Sequence, residues 1–210
     1  IPKSIPKPVL QDAINLLERG RRVDKFGRQH ELISPQWFWL AVLKVFYFTG
    51  MRKRQLVGLT WQDLDFQSKT IRLSAATSKT RREWLIPLPS AVSDDLELLR
   101  RRTLEIKGCT PPEAQVFCLP MFSTRARSFT LRTMNSDNVD SFFQRLRRLM
   151  PRDSPRISAH KIRHTTATQL ANRVKNLKVV QQQLGHSSIL TTYCYVHPDM
   201  ESMREAIAGL

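Results

Sequence analysis

Three basic side chains fall within five residues at His160, Arg163 and His164. On a helix the spacings i, i+3 and i+4 put them on one face. Two histidines four apart have a zinc-binding spacing, but position 161 is Lys, the Glu of an HExxH motif is absent, and no third Cys or carboxylate ligand stands nearby. Two readings remain at this level: a helix with solvated or packed histidines, and a pair, His160 and Arg163, that grips an anion jointly. Downstream, His186 follows Gly185, and Tyr195 comes nine residues later. Upstream, Arg52 stands just past Gly50, where a glycine helix stop lets a side chain project into a cleft. Taken singly each has a bland reading, because lone arginines are usually solvated and a tyrosine near a C-terminus usually packs.

The elements that must carry these residues can be read from periodicity. Apolar positions Val9, Ala13, Leu16 and Leu17 recur at helical spacing from Pro8 to the Gly20 stop. A polar loop follows, and Ser34-Pro35 supplies an N-cap and an N1 proline for a helix ending at Thr49-Gly50. Its apolar run, Trp37 to Phe48, is 12 residues long and interrupted by Lys44. That is too short to span a membrane and reads as a core helix. A short helix fits residues 52–59. Residues 69–74 and 83–88 are β-type and suit an antiparallel sheet of two or three strands. A long helix runs from Pro89-Ser90 to about Ile106, with Gly108 as its stop; residues 109–136 read as irregular. Further helices are expected at about 138–149, 159–172, 175–184, 187–194 and 199–208. The expected fold class is mainly α with a small antiparallel β-sheet (α+β).

Composition bounds the partner. Lys and Arg number 34 against 18 Asp and Glu, a net charge of +16 over 210 residues, and 41% of residues are hydrophobic. The apolar share excludes a disordered basic tail, and the charge points to a polyanion, most often nucleic acid. Ten Arg and Lys against three Asp lie between Arg125 and Arg163; the planar guanidinium suits phosphate oxygens. Three cysteines without a CxxC pair or a secretory signal fit a reducing, cytoplasmic setting.

In combination the motifs resemble the tyrosine recombinase (phage integrase) family. The matching elements, in order, are Thr49-Gly50-Met51-Arg52 with Leu56, Leu59, Trp61 and Asp63, then the Ser78-Lys79-Thr80 turn before Trp84-Leu85-Ile86-Pro87-Leu88. After them come His160-x-x-Arg163-His164, Leu184-Gly185-His186 and Thr191-Thr192-x-x-Tyr195. The resemblance runs from about Pro8 to His197 and implies the family's DNA breaking-rejoining catalytic-domain fold. It implies that residues 1–7 are a linker remnant from a missing N-terminal domain and that 8–198 form the catalytic domain. Residues 199–210 then form a C-terminal helix, either exchanged between protomers or packed on its own domain.

The same resemblance implies a site-specific DNA recombinase or integrase of a bacterial mobile element, acting in the cytoplasm and on the nucleoid when bound. Its partner is double-stranded DNA, with a homo-tetramer on paired sites, a monomer without DNA, and no membrane. Arg52 and Arg163 would take the phosphate oxygens, and His186 would add a donor. His160 would assist proton movement, Lys79 would protonate the departing 5′-oxygen, and Tyr195 would attack phosphorus to give a 3′-phosphotyrosine. No cofactor or metal is called for, because preorganised donors can stabilise the transition-state charge themselves; losing one typically costs on the order of a hundred- to a thousandfold in rate. Tyr193 rivals Tyr195, Lys69 rivals Lys79, and His197 reads as a neighbour of the tyrosine. Gln55 departs from the family, which commonly has an acid there. A type IB topoisomerase-like nicking-closing enzyme shares the chemistry, and a non-catalytic DNA-binding regulator would leave Arg52, Lys79, His186 and Tyr195 unexplained.

Overall fold

The structure, a computed structural model, describes residues 4–77, 82–123, 133–174, 176–195, 204, 207 and 208. Its centre is α2 (Gln36–Thr49), in which Phe38, Val42, Leu43, Val45 and Phe46 are fully buried. A helix apolar on nearly every side must be covered on nearly every side. The cover comes from α1 (Lys7–Arg19), α4 (Ser90–Lys107) and α7 (Ala159–Arg173). Lys44, the break in the apolar run, is accommodated by an ion pair with Asp95 of α4 at 3.1 Å. The chain ahead of α1 takes part too: Ile5 is buried, and its N–H donates to Thr165 Oγ1 of α7 at 2.7 Å.

Aromatic rings fill the layer between α2 and α6 (Ser136–Leu149). Trp39 stacks on Phe142 with centroids 4.4 Å apart, and Phe46 lies against Phe143. The α6 N-terminus is held by Asn135, whose side chain accepts from the N–H groups of Asp137 and Asn138. A second, smaller cluster joins Ala167 of α7, Val180 and Leu184 of α8 (Leu177–Leu184), and Tyr195.

The predicted sheet has three antiparallel strands in sequence order: β3 (Leu64–Asp65), β4 (Thr70–Leu73) and β5 (Trp84–Pro87). Ile71 pairs with Ile86 and Leu73 with Trp84, so the alternating apolar residues share the inner face. Asp63 explains its place in the motif structurally. It accepts from the Thr60 N–H and hydroxyl through one oxygen and from the Arg72 guanidinium through the other, fixing the turn onto β4.

Several expectations needed revision. The polar loop after α1 is a hairpin, β1 (Arg21–Val23) with β2 (Gln29–Glu31). Its strands are three residues long and mostly exposed, so no apolar alternation announced them. Pro35 is the residue before the first turn of α2 rather than its first residue; Glu31 Oε2 accepts the Gln36 N–H in the role expected of Ser34. Residues 52–59 contain the five-residue α3 (Lys53–Val57). The irregular stretch holds a single turn of helix, α5 (Leu119–Phe122), and 187–194 shortens to α9 (Leu190–Tyr193). The expected C-terminal helix lies outside the described residues except for 204, 207 and 208, which are helical.

Phe46→Ala removes a fully buried ring between α2 and α6. It is expected to lower the unfolding free energy by about 3–5 kcal/mol, measured by urea denaturation with an unchanged m-value; a loss under about 1 kcal/mol would contradict the packing described.

Candidate functional site

The last carbonyls of a helix have no partner within it, and at the α2 C-terminus side chains from two other helices supply them. Thr166 Oγ1 of α7 donates to the Tyr47 carbonyl at 2.6 Å, and Gln183 Nε2 of α8 donates to the Thr49 carbonyl at 3.0 Å. Arg163 Nη1 donates to the Gly50 carbonyl at 2.7 Å. Gly50 itself must be glycine: its φ is +65°, and a Cβ there would lie 2.8 Å from Leu184 Cδ2. This close join of α2 to α7 and α8 is what delivers Arg52, two residues on, to the site.

Arg163 is 6% exposed, and its Nη2 donates to the Leu184 carbonyl, also at 2.7 Å. One guanidinium thus closes the C-terminal ends of both α2 and α8, where helix dipoles favour a cation. Burial, then the nearby Arg52 charge, pushes the Arg163 pKa down to about 9, which leaves it a cation at neutral pH. Arg52 is half-buried at the start of α3. Burial lowers its pKa while Tyr195 acts the other way, and its Nη1 is buried with no hydrogen-bond partner.

Gln55, the residue that departs from the acid implied by the resemblance, is 1% exposed. Its Oε1 accepts the Arg52 N–H at 2.7 Å, while its Nε2 has no partner. An amide therefore performs the capping part of an acid's role without neutralising either arginine. The result is two buried donors, Arg52 Nη1 and Gln55 Nε2, without acceptors.

His186 follows Gly185, the left-handed cap of α8 at φ +62°. A Cβ on Gly185 would meet the Trp84 ring at 2.1 Å, so the turn is pressed directly against β5. Gln181 Nε2 donates to the His186 carbonyl at 3.0 Å, and His186 Nδ1 lies 3.0 Å from Thr192 Oγ1 in α9. Burial, then the charges of Arg163, Arg52 and His164, lowers the His186 pKa to about 4. The imidazole is neutral at pH 7.

Tyr195 is 8% exposed, whereas Tyr193 is 55% exposed. The Tyr195 ring lies nearly parallel to that of His186, with centroids 5.9 Å apart, and 5.1 Å from that of His164. Burial raises its phenol pKa, against which Arg163 and Arg52 pull downward, while Cys194 adds to the rise. His160 is exposed and reaches the site indirectly, its Nε2 2.9 Å from His164 Nε2. The structure thus brings Arg52, Arg163, His186 and Tyr195 together and joins His160 to them through His164. Lys79 and His197 lie outside the described residues. Lys69 sits in the β3–β4 turn at φ +52°.

In the sequence His164, Thr192 and Trp84 stand only as members of motifs, and Gln183 and Thr166 carry no signal at all. Nothing in their types sets them apart; only the join they make does. Among the described residues no group of three His, Cys, Asp or Glu is arranged to hold a metal ion, and no helix is long and apolar enough to cross a membrane.

The depressed His186 pKa has a pH signature. The unfolded chain takes up this proton near pH 6.5 and the folded chain near 4, so stability falls as pH drops through that window and the loss stops below it. An NMR titration of the His186 ring is expected to show a midpoint near 4. A midpoint at or above the ordinary value would contradict the burial and the two neighbouring cations.

Comparison with known proteins shows the family and the fold. The phage integrase family pattern matches residues 34–202. A Pseudomonas syringae protein provisionally named tyrosine recombinase XerC is 32% identical over 99% of this chain and 43% of its own length. Tyrosine recombinase XerD of Yersinia pestis is 29% identical over 98% of this chain and 62% of its own. The chain spans under half the length of the Pseudomonas relatives it matches. Among solved structures, XerH recombinase bound to its difH substrate superposes with a TM-score of 0.70 at 19% identity, over 99% of this chain and 54% of that one. The Tn1549 transposon integrase in complex with a circular intermediate DNA gives 0.70 at 24% identity, over 100% and 67%. The fold is that of the tyrosine recombinase catalytic domain, and the chain belongs to the phage integrase family.

Proposed function

We propose that residues 8–198 form the catalytic unit of a site-specific DNA recombinase that cuts and rejoins strands through Tyr195. The observation that carries this reading is the grouping of Tyr195 with two buried or half-buried arginines and a neutral histidine. A phosphodiester attacked at phosphorus gathers charge on its non-bridging oxygens, and fixed donors in a dry site stabilise that charge best. Arg52 presents a free buried N–H for the purpose. Arg163 has used one N–H of each terminal nitrogen on backbone and keeps others, since a guanidinium carries five.

Tyr195 Oη forms the bond to phosphorus as the P–O5′ bond breaks, giving a 3′-phosphotyrosine. The phenol proton leaves by way of His160, with His164 bridging it to the tyrosine, and Lys79 returns a proton to the 5′-oxygen. His186 donates to a non-bridging oxygen through the nitrogen not facing Thr192. Because the phosphodiester energy is kept in the covalent link, rejoining to a new partner needs no ATP. The partner is double-stranded DNA, and exchange between paired sites calls for four copies of the chain. The high positive charge of the whole chain supports this choice of partner, and a cytoplasmic, nucleoid-associated location follows from it.

The test is cleavage of a nicked suicide duplex carrying the attachment site, in EDTA. Wild type should yield a covalent adduct on a denaturing gel, and Tyr195→Phe should yield none. Arg52→Ala should slow adduct formation by roughly a hundred- to a thousandfold. An adduct of wild-type yield from Tyr195→Phe would overturn the reading.

A further inference from the structure

Beside the site a cleft of about 520 Å³ lies between β5 and α8, lined among others by Arg82, Trp84, Lys178, Gln181, His186 and Ser187. His186 belongs to both, so the cleft continues the site. Arg82 and Lys178 are exposed on its rim and have no ion-pair partner among the described residues. Glu83, the acidic lining residue, is 3.9 Å from Arg72. Trp84 Nε1 is buried without an acceptor. Gln181 holds the His186 carbonyl with its Nε2, and its Oε1 has no partner either.

Buried polar atoms are normally paired, and this wall presents a donor, an acceptor and two free cations within one cleft. A nucleotide matches that set: its phosphate supplies acceptors and negative charge, and its base edge supplies a donor. A DNA strand carries a phosphate at every nucleotide, so a strand fixed at Arg52, Arg163 and His186 must send a neighbouring phosphate one step along.

We infer that this cleft holds the nucleotide adjoining the scissile phosphate on the cut strand, with Lys178, Arg82 and the Trp84 indole N–H on its phosphate. The inference rests on the reading that the site cleaves DNA, and it gives Trp84 two tasks. Its ring supports the Gly185–His186 turn from below, and its N–H meets the strand. Occupancy of the cleft therefore registers the strand against His186.

The experiment is single-turnover cleavage of suicide duplexes in which the phosphate on one or other side of the scissile position is a neutral methylphosphonate. At one flanking position the neutral linkage should slow wild type roughly ten-fold. Lys178→Ala should slow cleavage of unmodified DNA to a similar degree and lower the salt dependence of binding by about one phosphate contact. Combining the two should add little further loss. Trp84→Phe, which keeps the ring and removes the N–H, should also lose rate on unmodified DNA and be insensitive to that methylphosphonate. Equal rates on all duplexes, or losses that simply multiply, would overturn the inference while leaving Tyr195 cleavage intact. Absence of any adduct from wild type on unmodified DNA would remove the recombinase reading and this inference with it.

Discussion

A single buried guanidinium, that of Arg163, holds two helix ends together, and the site follows from that closure. Taking a guanidinium out of water is costly unless every face is matched. Here the matching is done by the Gly50 and Leu184 carbonyls, each at 2.7 Å. Hydrogen bonds from a charged donor are worth about 1.5–3 kcal/mol each, and removing the partner would leave two helix ends open in the interior. The residues just beyond those ends are Arg52 and His186. The contact that stabilises the fold therefore also sets the distance between the groups proposed to face a phosphate.

The electrostatics are set by burial more than by ion pairing. Arg52 and Arg163 repel one another, and both lower the His186 pKa. Among the described residues no carboxylate forms an ion pair with Arg52 or Arg163, and position 55 is an amide. Such a site is strained towards binding a dianionic or developing anionic group, and a phosphodiester in its transition state is one. Gln55 shows how the arrangement survives the loss of an acid: the capping bond to the Arg52 N–H needs only an oxygen. The neutral His186 ring fits the same logic, since a third cation here would add repulsion, while a neutral imidazole still donates.

Much of this was legible in the sequence. The long helices announced themselves through apolar spacing and glycine stops, and Gly50 and Gly185 do occupy left-handed caps. The motif residues Arg52, Arg163, His186 and Tyr195 converge as their order implied, and Tyr195 rather than Tyr193 faces inward. The β1–β2 hairpin was illegible because its stability comes from Asp24, which accepts from the Phe26 and Arg28 N–H groups, and not from any apolar face. Thr166 and Gln183 were equally silent, since a threonine or glutamine that caps a distant helix carries no local signature. His160 is the instructive case. Its motif spacing is right, yet the ring beside Tyr195 is that of His164, one helical turn further along.

In the proposed reaction Tyr195 Oη forms the covalent link to DNA, beside the groups that the Arg163 closure gathers. The most direct measurement is to trap the adduct on a nicked duplex, digest both protein and DNA, and identify by mass spectrometry which residue retains the nucleotide. A single modified peptide carrying the nucleotide on Tyr195 is expected. A nucleotide found on Tyr193, on a histidine, or spread over several residues would contradict the proposed reaction.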